Sequence, residues 1–145
     1  MTIKNYLADY AKSFNWAGFF LPKIIYNDCS KLYSFCRVLD DIVDGKSNLE
    51  LKIKRISEIK NILNKTYELD NHDRNTLDQK EYEIIIKDVI ALAENNNIKR
   101  VILDDLIAGV SSDLKPKVYL RSVGDLLVYS YRVAGTVGLM MAKIL

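Results

Sequence analysis

The stretch Tyr33-Ser34-Phe35-Cys36-Arg37-Val38-Leu39-Asp40-Asp41-Ile42-Val43-Asp44 sets three carboxylates within five residues of an otherwise apolar run of helical period. Asp40 and Asp44 are four residues apart, so on a helix they project from one face, one turn above the other. Like charges so placed repel each other, and a helix gains nothing from them alone. A divalent cation removes that penalty. Mg²⁺, a hard ion that takes oxygen ligands, is the usual occupant when one or two carboxylates share it with the phosphates of a substrate. Arg37 and Tyr33 lie on the same stripe, one and two turns towards the N-terminus. A guanidinium matches carboxylate and phosphate oxygens. With Asp41 beside it, the stripe suits a phosphorylated ligand held through metal.

A solvated acidic helix face would carry the same DDxxD string. The flanks argue against that reading, because Leu32, Phe35, Cys36, Val38, Leu39, Ile42 and Val43 surround the carboxylates with apolar groups. Partnerless carboxylates in such surroundings are costly.

At 145 residues the chain is near the commonest size of a single domain, 1–145. Its 49% apolar and 28% charged residues are ordinary for a soluble globular protein. The 21 basic and 19 acidic residues are mixed along the chain, with no basic stripe that would mark a nucleic-acid binder. Apolar runs are too short for a membrane span. The opening residues MTIKNYLADYAKSF lack the continuous apolar core of a secretory signal. Cys29 and Cys36, seven apart on one helix face, read as small core residues, which fits a reducing cytoplasm.

The period is helical throughout, with only two prolines and six glycines. A short segment at 13–20 precedes Pro22, placed for a first helical position. A helix from Pro22 to Asp44 stops at Gly45, a C′ residue. An amphipathic helix follows at 48–67, then a polar loop at 68–80 and a helix at 81–94 broken by Asn95-Asn96-Asn97. Further helices cover 98–111 and 122–145, the last opened by Ser122 with Asp125 in the manner of a capping box. His72 in the polar loop reads as a surface histidine. Phe14, Trp16, Phe19 and Phe20 read as core, although aromatics lining an apolar ligand cavity would look the same.

These residues resemble the squalene/phytoene synthase family, all-α enzymes that join two prenyl diphosphates head to head. Lys12-Ser13-Phe14 followed by Phe20-Leu21-Pro22 resembles the family's opening "KSF…LP" element, and Tyr33 to Asp44 its first aspartate-rich motif. Ala108-Gly109-Val110-Ser111-Ser112-Asp113-Leu114 resembles its "G-hydrophobic-x-x-D-L" stretch. Tyr129-Ser130-Tyr131-Arg132-Val133-Ala134-Gly135-Thr136-Val137-Gly138-Leu139-Met140-Met141 resembles a signature of bacterial phytoene synthases. Residues 46–106 carry no specific motif.

The resemblance implies an isoprenoid-synthase-type helical bundle around a central apolar cavity, and a reaction that ionises an allylic diphosphate in a water-free pocket. It implies Asp40 and Asp44 as ligands of Mg²⁺, which Mn²⁺ could replace, with Asp41 supporting. Arg37 and Tyr129 would be catalytic, Ser13, Arg37 and Tyr33 would contact the substrate, and Val133, Ala134, Val137 and Gly138 would form tunnel wall. The substrate would be geranylgeranyl or farnesyl diphosphate, met in the cytoplasm or at a membrane surface.

Tyr10-Ala11 stands where the family commonly has His-Ser. The second aspartate-rich motif is absent, and the run Leu139 to Leu145 is apolar with no stop signal. The expected state is therefore the N-terminal half of such a domain, whose missing C-terminal half or partner subunit completes it. Two alternatives remain open: a non-catalytic relative acting as an assembly scaffold, and a squalene or dehydrosqualene synthase. A chain-elongating prenyltransferase also uses DDxxD, but "FCR" before the aspartates and "VAGTVG" favour the head-to-head family.

Overall fold

The computed structural model describes residues 16–68, 77–115 and 120–145, with the side chains of 65–68 and 77–81 excepted. The described residues form helices and no strands. In chain order these are α1 (Lys23–Asp44), α2 (Leu49–Glu68), α3 (Leu77–Asn95), α4 (Arg100–Ser112), α5 (Val123–Ser130), a π-helical turn (Tyr131–Gly135) and α6 (Thr136–Ile144). Helix α1 is the hub, packing against α2, α3, α4 and α6.

The ends follow local chemistry. Pro22 is the N-cap of α1 rather than its first helical residue, with extended ψ. Asn48 caps α2, its Oδ1 accepting from the Leu51 N–H at 2.9 Å. Helix α3 ends in a Schellman turn: Asn97 takes a left-handed φ of 51°, Ile98 N–H donates to the Ala93 carbonyl and Asn97 N–H to that of Glu94. At α5, Asp125 N–H donates to Ser122 Oγ while Ser122 N–H donates to Asp125 Oδ2, the expected reciprocal pair.

Gly45 departs from expectation. Its φ of −59° is not left-handed. The glycine is needed because a Cβ there would lie 2.6 Å from the Asp41 carbonyl oxygen.

The core joins Leu32, Phe35 and Leu39 of α1 to Ile59 and Leu63 of α2, Ile86 and Leu92 of α3, Leu103, Leu106 and Ile107 of α4, and Met140 of α6. Arg100 clamps α4 to α2, donating to the Leu63 carbonyl, to Asn64 Oδ1 at 2.8 Å and to Asp104. The aromatics before Pro22 are corrected by the structure: Trp16, Phe19 and Phe20 are exposed rather than core. Trp16 and Phe20 meet edge to face at 5.6 Å, and nothing among the described residues covers them. Phe14, Ser13 and His72 lie outside the described residues. Helix α5 buries no side chain.

Candidate active site

Helix α1 has one buried stripe and one open one. Leu32, Phe35, Val38, Leu39, Ile42 and Val43 are buried, while Asp40, Asp41 and Asp44 are exposed along the opposite edge. The apolar residues thus fix the roll of the helix, and the roll aims the carboxylates. Burial and the neighbouring Asp44 charge raise the pKa of Asp40, and Arg37 opposes them. The Asp44 contribution, second to burial, is the repulsion that four-residue spacing predicts.

Arg37 makes its ion pair with Asp41, Nη2 to Oδ1 at 2.7 Å, rather than with the Asp40/Asp44 pair. Asp41 therefore orients the guanidinium and leaves Asp40 and Asp44 open. Tyr33 is half-buried against the core. Lys52 of α2 donates its ammonium to the Val43 carbonyl, tying down the end of α1 beside Asp44.

Facing this edge is Asp113, just past the end of α4. Its charge acts on Asp40 and on the hydroxyl of Tyr129, which lies against it. Partial burial, then Asp113, raises the pKa of Tyr129. Asp113 Oδ1 is buried and has no hydrogen-bond partner among the described residues. Sequence reasoning quoted Asp113 within a motif and gave it no role. The signal available was its place four residues after Gly109 and eight after Asp105, on the stripe that α4 and the turn after it share.

The structure therefore brings Arg37, Asp40, Asp41 and Asp44 to one edge, with Asp113 near Asp40 and Tyr129 beside Asp113. Val133 in the π turn and Val137 in α6 are half-buried, whereas Ala134 and Gly138 are exposed. A Cβ on Gly138 would meet nothing within 4 Å. Among the described residues, no three His, Cys, Asp or Glu side chains gather closely enough to hold an ion unaided. Asp40 and Asp44 nonetheless fit Mg²⁺, which commonly takes one or two carboxylates and completes its shell with water and phosphate oxygens. No helix among the described residues is long and apolar enough to cross a membrane.

A helical bundle that turns paired aspartates outward along one helix, with a further aspartate just past the end of another, is the class of protein the fold and these residues define. This chain belongs to the squalene/phytoene synthase family, whose pattern matches residues 7–145. It is 30% identical over 139 residues to the 15-cis-phytoene synthase of Paracoccus sp. (strain N81106 / MBIC 01143), covering 93% of this chain and 43% of that protein. It is also 30% identical over 139 residues to the 4,4'-diapophytoene synthase of Staphylococcus haemolyticus, covering 96% and 45%. A bifunctional lycopene cyclase/phytoene synthase of Pyrenophora tritici-repentis is 30% identical over 146 residues, covering 97% and 25%. The chain thus spans less than half the length of these relatives.

Proposed function

We propose that this chain is the N-terminal half of a head-to-head prenyltransferase of the phytoene synthase type, acting in carotenoid biosynthesis. The observation that carries the reading is the open Asp40/Asp44 edge of α1, with Asp113 near Asp40 and Tyr129 beside Asp113. Asp40 and Asp44 would hold Mg²⁺, which in this chemistry neutralises the diphosphate leaving group. Arg37, held by Asp41, lies one turn away to bind diphosphate oxygens. Tyr33 and Ser13 would add contacts to the same group. Val133, Ala134, Val137 and Gly138 would line the path of a prenyl tail, geranylgeranyl or farnesyl. The phytoene and diapophytoene synthase names of the relatives support a carotenoid precursor over a sterol precursor.

The uncovered apolar face of α5 and α6 supports a further helical segment, the C-terminal half of the domain, as its partner. Such an enzyme would work in the cytoplasm or at the membrane surface, where its lipid substrate resides.

Titration calorimetry with a non-ionising prenyl diphosphate analogue tests the reading. Binding should require Mg²⁺ and be lost in Asp40→Ala. Equal binding with and without Mg²⁺ would overturn the metal assignment.

A further inference from the structure

We propose that Gly109, at the helix crossing, and Thr136, which locks the π turn, are positioning residues that set the register of Tyr129 against Asp113. The proposal rests on the reading of Tyr129 as part of the reaction centre, but its geometry stands independently of it.

Asp105, Gly109 and Asp113 recur every four residues, so they form one stripe on α4 and the turn that follows it. The segment opposite runs antiparallel to that stripe. Asp105 pairs with Arg132 at 3.8 Å, Gly109 packs against Arg132 and Val133, and Asp113 lies against Tyr129. Gly109 is a point of close approach in this crossing. A Cβ there would lie 2.7 Å from Arg132 Cβ, 3.0 Å from the Arg132 carbonyl carbon and 3.1 Å from Val133 Cγ1. Two of these are atoms that cannot swing aside, so any larger residue pushes the π turn off α4.

The π turn has its own lock. In it, the Thr136 N–H donates to the Tyr131 carbonyl, one residue further back than in an α-helix. The Arg132 carbonyl thereby loses its ordinary partner. Thr136 supplies the substitute: its hydroxyl donates to that carbonyl at 2.8 Å. Thr136 is fully buried, so no water can take over. Without the hydroxyl, the segment regains a full set of bonds by returning to a regular α-helix. That change turns everything before it by about 100° relative to α6, one residue's rotation. Helix α6 is held in the core by Met140 and Ile144, whereas α5 buries nothing. The side that turns is therefore α5, and it carries Tyr129 away from Asp113.

The test follows the Tyr129 hydroxyl by NMR of tyrosine-ring-labelled protein, assigned with Tyr129→Phe. In the wild type it should titrate above an ordinary tyrosine, and Asp113→Asn should bring it down. Gly109→Ala and Thr136→Val should shift it down as far as Asp113→Asn does, while Thr136→Ser, which keeps the hydroxyl, should retain the wild-type titration. Wild-type titration in folded Gly109→Ala and Thr136→Val would overturn the proposal, as would Thr136→Ser behaving like Thr136→Val. Loss of cooperative melting in both variants would also overturn it, by reducing both residues to structural ones. If the titrations move as expected but the analogue fails to bind, the functional reading falls and the positioning geometry remains.

Discussion

Leu39 is fully buried and immediately precedes Asp40, so the packing of α1 and the aim of its carboxylates depend on adjacent residues. Leu39→Ala should cost about 2–5 kcal/mol, as large-to-small changes in cores do, measured by denaturant unfolding. Cys36, one turn before Asp40, is also informative. Burial, and then the Asp40 charge, push its thiol from an ordinary 9.0 up to about 12. The folded state keeps this proton where the unfolded chain releases it. The resulting stability is fully present below pH 9 and is lost as pH rises towards about 12. The fall in unfolding midpoint over that window should be steeper in the wild type than in Cys36→Ala. Equal slopes would mean that the thiol is not held protonated by the fold. The aspartate stripe was legible residue by residue because four-residue spacing has one meaning on a helix. The Arg37–Asp41 pairing was not, since Arg37 has acidic neighbours at both three and four residues and only the rotamer decides between them.

Among the elements, α1, α2 and α4 have ends readable to within about two residues, because caps and apolar period agree there. Helix α3 starts at Leu77, four residues before the Glu81 that the pattern predicts, since its polar first turn carries no apolar period. The π turn was invisible: one extra residue in a run as uniformly apolar as Val133 to Met141 leaves the pattern looking continuous. Helix α5 shows how much a cap can matter. With no buried side chain, its start depends on the Ser122–Asp125 capping box. Ser122→Ala should cost about 1 kcal/mol locally. The expected readout is faster amide exchange across Val123–Ser130 at nearly unchanged global stability. Unchanged exchange there would mean that contacts beyond the box hold the helix.

For the whole molecule, the helical class and the hub role of α1 follow from period and from the apolar flanks of the aspartates. The exposure of Trp16, Phe19 and Phe20 does not, because burial depends on neighbours that a local pattern cannot supply. The same dependence governs the other face. Val123 is 73% and Leu127 64% exposed, and Val128 and Leu139 are exposed as well, so α5 and α6 show apolar side chains of the kind an interface covers. The isolated chain should bind a hydrophobic dye and self-associate at micromolar concentration. A sharp monomer peak in light scattering without dye binding would argue for a complete fold and favour the scaffold alternative.

The Arg100 clamp has a consequence for how the covalent chain may be divided. It ties the last turns of α2 to the first turn of α4 by hydrogen bonds to Leu63 and Asn64, 37 and 36 residues away in sequence. The peptide link between α2 and α3 is therefore not what holds these helices together. A protease site engineered between residues 69 and 76 should yield two pieces that co-elute under native conditions and separate only in denaturant. Arg100→Ala should weaken that association, and the two halves expressed from separate genes should find each other.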